Sequence, residues 1–371
     1  MYNNIKKKEL FRDENSKANH AYQNDRDITR QAYKPKSRMF GAVDLGTNNC
    51  RLLIARPKNK GFHVTTSYSR IVRLGEGLFN NGFLSELAMD RTIAALNTCS
   101  KRLNSFDNIK SRSIATEACR RAENCDEFIT RVEKETGLKL EIITSNEEAR
   151  LALRGCQSLL NPTQTYAIVF DIGGGSTEII WAKKGLEHYD ILDVLSLPFG
   201  VISLIEDIGN SVTNRDNYMK MVSYVSLNLP NFCNRNDIRR KIKEQNVQML
   251  GTSGTITTLG AIHLNLSRYD RSLIDGLNVK FSDLNEIIIK LTEMGFENRK
   301  KIPSIGNERA ELIFPGCAIL EAICKRWPIG ELRVADRGLR EGMLLELMIE
   351  SGIPVTGNPA ANTLRKDKIR I

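Results

Sequence analysis

Two stretches of this chain follow one plan. Residues 43–57 read VDLGTNNCRLLIARP and residues 170–184 read FDIGGGSTEIIWAKK. Each opens with an apolar strand that ends in Asp-apolar-Gly. Each then passes through four small or polar residues into a second apolar strand, Leu52–Ala55 or Ile179–Ala182. A turn follows (Lys58–Gly61 or Lys183–Gly185), then a third extended segment. A glycine phrase closes each copy, Arg73-Leu74-Gly75 or Pro198-Phe199-Gly200. One Asp-x-Gly hairpin would say little. Two in the same order, 127 residues apart, predict a duplicated fold of two lobes.

The segments around the copies alternate between helical and extended patterns, so each lobe reads as an α/β sandwich. Leu84–Phe106 places Leu87, Ile93, Leu96 and Leu103 at helical spacing. Ile114–Thr116 and Leu140–Ile143 read as strands. Asp126–Thr136 reads as a helix stopped by Gly137, and Glu147–Leu160 as another. Asn161-Pro162 marks the expected boundary between the lobes, which gives residues 39–160 and 161–334. Further helices are predicted over 201–209, 216–227, 232–245, 283–294 and 307–326, with a strand over Val247–Leu250. Val334-Ala335-Asp336 ends a last strand. Residues 335–351 read as a closing stretch that holds the last helix, 339–350.

Charge narrows the function classes. The formal net charge is +10, but residues 1–38 carry +5 and residues 352–371 carry +3. The body between them is close to neutral, so no strongly basic nucleic-acid face is expected. Both ends lack apolar periodicity and read as disordered basic tails; an arm that attracts polyanions is the sharper alternative. No run of 18 apolar residues and no apolar leader occurs, which points to a cytoplasmic protein without a membrane span. The eight cysteines form no C-x-x-C pair, and none of the four histidines stands at zinc-finger spacing from them. They read as reduced, mostly buried thiols.

The turns carry the chemistry. A run of glycine and hydroxyl residues after a buried strand lets backbone N–H groups converge on one spot, and such a nest binds anions, phosphate above all. There are three: Gly46-Thr47-Asn48-Asn49, Gly173-Gly174-Gly175-Ser176-Thr177 and Gly251-Thr252-Ser253-Gly254-Thr255. A single one could be a tight hairpin and no more. Three at three strand ends predict a phosphate chain gripped from both sides of a cleft. Asp44 and Asp171 precede two of the nests, and Glu178 follows one. Carboxylates beside phosphate call for a hard cation, and Mg²⁺ held by one or two carboxylates plus substrate oxygens is the usual arrangement. The alternative is that each Asp caps its own turn. Ser145-Asn146-Glu147-Glu148 opens a helix and fits the S-x-x-E capping box, a structural role for Glu148. Arg120 and Arg121 follow a short strand and turn; they are either solvated surface charges or phosphate clamps.

Together, VDLGTNNCRLLI, ATEACRRA, ITSNEEARLAL, VFDIGGGSTEI, GTSGTITTLG and ADRGLREG resemble the exopolyphosphatase/guanosine-pentaphosphate phosphohydrolase family, in order from about residue 40 to 350. That family lies within the actin-like, sugar-kinase and heat-shock ATPase superfamily. The resemblance implies two duplicated ribonuclease H-like lobes with the active site in the cleft between them, and a final helix within 335–351 that returns to the first lobe. It implies Mg²⁺-dependent hydrolysis of a terminal phosphoanhydride, from inorganic polyphosphate or from pppGpp. It makes Glu148 the base that orients and deprotonates water, and Arg120 a phosphate-binding arginine. Asp171 and Glu178, with Asp44, become metal and phosphate carboxylates, and the backbones of Gly46–Asn48 and Gly173–Thr177 become phosphate loops. Relatives are commonly homodimers, and a K⁺ requirement stays open. Longer members add a C-terminal helical domain of the HD type. This chain runs about twenty residues past the last family phrase with no His-Asp dipeptide, so it reads as the short, two-domain form. Two other classes remain alternatives: a metabolite kinase of the same superfamily, and a non-enzymatic alarmone or polyphosphate sensor.

Overall fold

The computed structural model describes residues 38–355 apart from 59–60, 187 and 209–214. The two expected basic tails fall almost wholly outside the described residues. Among the described residues eleven strands make two sheets. The first has the order β3-β2-β1-β4-β5, built from β1 (Met39–Leu45), β2 (Asn49–Lys58), β3 (Gly61–Ile71), β4 (Ile109–Ala115) and β5 (Glu141–Ile142). The second is formed by β6 (Tyr166–Ile172), β7 (Thr177–Lys184), β8 (Tyr189–Leu197), β9 (Val247–Thr252), β10 (Asn278–Lys280) and β11 (Glu331–Ala335). Its order is β10-β11-β9-β6-β7-β8.

The duplication is exact to the residue in its first hairpin. β1 and β2 run antiparallel with Asp44 opposite Arg51 and Leu45 opposite Cys50. β6 and β7 place Asp171 opposite Glu178 and Ile172 opposite Thr177. The bulge against the third strand also recurs, between Ile54 and Ala55 in one copy and between Trp181 and Ala182 in the other. In both lobes the first strand then pairs in parallel with the strand that follows its helices, β4 or β9. Central strands β1, β6 and β7 are buried along most of their length, which is why they read as continuous apolar runs. Edge strand β3 instead alternates between half-buried and exposed residues, as its Thr, Ser and Tyr content requires.

Two helices hold the lobes together by crossing over. Helix Ser145–Cys156 follows the first sheet, yet its Ala149, Leu153 and Cys156 join the apolar cluster of β6 and β7. This differs from the expectation that it belongs wholly to the first lobe. Helix Leu339–Glu350 follows the second sheet, and its Met343, Leu344 and Leu347 pack on Phe40, Ala42 and Leu53 of the first. The two helices meet backbone to backbone. A Cβ on Gly155 would sit 1.9 Å from the Gly338 carbonyl oxygen, and one on Gly342 would sit 2.0 Å from that of Leu151. Only glycine allows that approach.

Some helices are shorter than their apolar patterns. The 232–245 stretch splits into Pro230–Arg235 and Ile238–Lys243 because Asp237 adopts φ 50°. The 307–326 stretch splits into Gly306–Arg309 and Ile313–Arg326. Among the described residues no helix is long and apolar enough to cross a membrane. All eight cysteines are free, seven buried and Cys324 partly so.

Candidate active site

Both hairpin turns close in the same way. The Gly46 N–H donates to the Asn49 carbonyl at 2.9 Å, and the Gly173 N–H donates to the Ser176 carbonyl at 2.9 Å. Each is braced from behind by the chain that follows its third strand. Val72, Arg73 and Gly75 donate their N–H groups to the carbonyls of Asn48 and Thr47. Val201 and Ile202 donate theirs to those of Gly173 and Gly174. The two turns face each other closely. A Cβ on Gly175 would lie 2.7 Å from the Thr47 hydroxyl and 2.8 Å from the Phe79 ring, so this position has no room for a side chain.

The third nest lies where β9 runs into helix Gly254–His263. Ser253 caps that helix by accepting the Ile256 N–H at 3.1 Å. Thr252 donates its hydroxyl proton to the Arg337 carbonyl at 2.8 Å. All three nests border one cavity of ≈ 740 Å³, together with Asp44, Glu148 and Asp171. Thus Gly46, Thr47, Asn48, Gly173, Gly174, Gly175, Ser176, Thr252, Ser253, Gly254 and Thr255 share a wall. Four candidates stand behind it. Thr177 is fully buried and donates to the Phe199 carbonyl at 3.0 Å. Gly251 packs against the Phe170 ring. Glu178 is 1% exposed and accepts from the Ser196 hydroxyl at 3.1 Å. Arg120 stands behind Glu148.

Glu148 does not cap its helix. Thr144 is the N-cap and accepts the Glu147 N–H, while the Glu147 side chain is engaged by Arg112 and Arg150. Glu148 is therefore free to point into the cleft. Arg120 donates to its Oε2 at 2.9 Å and to the Ile143 carbonyl at 2.9 Å, and its other edge meets Glu117. Arg121 is more exposed and lies over the Phe79 ring.

The acids crowd one another. Burial, then repulsion from Glu178, drives the Glu148 carboxyl well above the usual range; Arg120 opposes this and Asp171 adds to it. Asp171 is pushed up to about 7 by burial, then by Glu178 and Asp44, against the pull of Arg51. Glu178 is likewise pushed to about 7 by burial, against its hydroxyl partners and Arg120. Burial raises Asp44 too, while Arg51 and Arg340 draw it down. A cation would relieve all four. The donors such a cation would meet are hard carboxylate oxygens, which suit Mg²⁺, an ion that takes one or two carboxylates and completes its shell with water and substrate oxygens. The buried Asn48 Oδ1, which finds no hydrogen-bond partner among the described residues, is a further oxygen at this spot.

Several wall residues escaped the sequence reading. Arg51 and Arg340 line the cavity and act on Asp44. Arg51 occupies the hairpin position that Glu178 holds in the second copy, so the duplication itself marked it. Arg340 lies inside the ADRGLREG phrase. Arg309 and Tyr269 also line the wall, from segments with no local signal.

Known proteins resemble the chain over this whole architecture. The model of the Ppx/GppA phosphatase family matches residues 53–351. A solved Ppx/GppA enzyme from Aquifex aeolicus is 30% identical, with a TM-score of 0.69 over 83% of this chain and 99% of that one. An exopolyphosphatase from Cytophaga hutchinsonii is 26% identical, with a TM-score of 0.74 over 85% and 99%. A curated relative, the bifunctional 3-dehydroquinate synthase/phosphatase of Fusobacterium nucleatum, is 29% identical over 322 residues. The match takes in 82% of this chain but only 46% of that protein, so the chain spans about half the length of this relative.

Proposed function

We propose, for a chain that belongs to the Ppx/GppA phosphatase family and has its actin-like ATPase fold, that the cleft hydrolyses the terminal phosphoanhydride of inorganic polyphosphate and releases orthophosphate. The observation that carries this reading is the convergence of three backbone nests and Glu148 on one cavity.

The chemistry asks little covalent work of the protein. Phosphoryl transfer to water needs an in-line nucleophile, fixed phosphates and neutralised charge. The nests of Gly46–Asn48 and Gly173–Ser176 would hold the terminal phosphate from opposite sides, and Ser253-Gly254 the next one. Glu148, held by Arg120, would orient the attacking water and take its proton as oxygen bonds to phosphorus and the bridging P–O bond breaks. Mg²⁺ held by Asp171 and Asp44, with Glu178 behind them, would supply charge neutralisation at the phosphates. Arg51 and Arg340 would meet the chain's remaining charge from the cavity floor. Free thiols throughout fit a reducing cytoplasm as its place of action.

A second reading, a guanosine pentaphosphate 5′-phosphohydrolase, is favoured by the cavity's mixed lining. Besides the nests it includes Tyr269, Leu312 and Ile313, one aromatic and two apolar side chains against which a nucleoside could pack. The test is phosphate release with Mg²⁺ on tripolyphosphate, long polyphosphate, pppGpp and ATP in parallel. Turnover of the polyphosphates first supports the main reading, and preference for pppGpp the second. Turnover of ATP alone, with transfer to a metabolite, overturns both.

A further inference from the structure

The cleft has a second closure point, remote from its crossing helices. Glu206 lies on helix Val201–Ile208 of the second lobe. Its Oε1 accepts the N–H of Gly77 in the first lobe at 2.9 Å, and the backbone of Phe79 lies close enough to favour the ionised carboxylate. Its Oε2 finds no partner among the described residues. What these partners do elsewhere gives the contact its meaning. Gly77 and Phe79 belong to the segment whose Val72, Arg73 and Gly75 brace the first phosphate loop. The Phe79 ring also lies against the Gly175 position of the second loop. Glu206 itself rides on the helix whose first residues, Val201 and Ile202, brace the second loop. The two braces are pseudo-equivalent parts of the duplicated plan, each following the third strand of its lobe. One carboxylate therefore ties the brace of one nest to the brace of the other.

We propose that Glu206 is a positioning residue that latches the cleft and brings the two phosphate loops into register before substrate arrives. It touches neither substrate nor cation. Without it the loops remain, but the substrate must draw the lobes together itself, so the loss falls on binding rather than on the chemical step. A hydrogen bond to a charged acceptor is stronger than one to a neutral amide, so Glu206→Gln should retain part of the latch.

Hydrogen exchange of the full chain, wild type against Glu206→Ala and Glu206→Gln, tests this directly. The latch predicts exchange at least about tenfold faster in Glu206→Ala over both residues 72–79 and residues 44–49, with a smaller rise in Glu206→Gln. Helix Cys125–Thr136 should be unchanged, and tripolyphosphate with Mg²⁺ should restore protection. In kinetics, KM should rise about tenfold while kcat stays within about threefold. Unchanged exchange over 44–49 overturns the latch. So does faster exchange throughout the second lobe that the probe does not restore, because that is general destabilisation. If Glu206→Ala does not fold, Glu206→Gln with wild-type exchange and KM overturns it equally. The kinetics and the tripolyphosphate arm rest on the phosphatase reading; the exchange of the free protein does not. A wild type that releases no phosphate would sink that reading and leave the latch to be judged on exchange.

Discussion

Three acids within one hairpin pair and its facing helix repel one another, and Arg120, which donates to Glu148, offsets only part of that repulsion. Asp171 and Glu178 stand opposite in register and are both held near 7, well above the ordinary carboxylate range. The sign of the consequence follows from linkage. A carboxyl whose folded value is raised binds its proton more tightly in the native state, so stability is greatest at low pH and is lost as pH rises toward 7. The cation-free protein should therefore melt at progressively lower temperature between about pH 4 and 7. Added Mg²⁺ should flatten that slope by favouring the ionised form. Thermal melts across this range, with chelator and then with Mg²⁺, check it. A cation-free melting temperature that rises with pH would contradict the crowding of these acids. The same residues show how much of the site a sequence can display. Asp44, Asp171 and the glycines were legible because each is fixed by its own turn. The capping-box reading of Glu148 failed because the N-cap is Thr144, one residue before Ser145, which frees Glu148 for Arg120. Thr177 and Gly251 belong to the right phrases but point into the core.

At the scale of elements, the duplicated hairpin was readable because register, turn and bulge repeat at one spacing in the sequence. The return of helix Leu339–Glu350 to the first lobe was expected from the family resemblance and not from its own pattern, and the crossing of helix Ser145–Cys156 was not expected. Each has an ordinary apolar pattern, and nothing local says which sheet it will cover. Glycines at 155 and 342 have meaning only once the two helices are seen to touch. Their contact predicts a large effect from a small change. Gly342→Ala would place a methyl group against the Leu151 carbonyl oxygen and force the helices apart. The expected cost is about 1–3 kcal/mol of stability, read as a lower denaturation midpoint. Overall secondary structure by circular dichroism should stay unchanged. An unaltered midpoint would mean that the helices do not pack as described. The same argument explains the divided helices. At Asp237 a left-handed residue interrupts an apolar pattern that continues past it, so periodicity alone overstates helix length.

Across the whole molecule, two sheets of one ancestry face each other over a cleft, and helices exchanged between them form its floor. The wall is assembled from segments as far apart as Asp44 and Arg340. Such long-range partners as Arg340, Tyr269 and Glu206 carry no local signature, which is why they emerged only from the fold. In the proposed function one polyanion end sits among three nests while Glu148 orients water. The most direct measurement compares wild type with Glu148→Gln for tripolyphosphate binding by calorimetry and for phosphate release. Release should fall by about 10²–10⁴-fold, the usual contribution of a general base, while affinity changes by less than about threefold. Release that survives the substitution, or binding that vanishes with it, would rule out Glu148 as the base at this cleft.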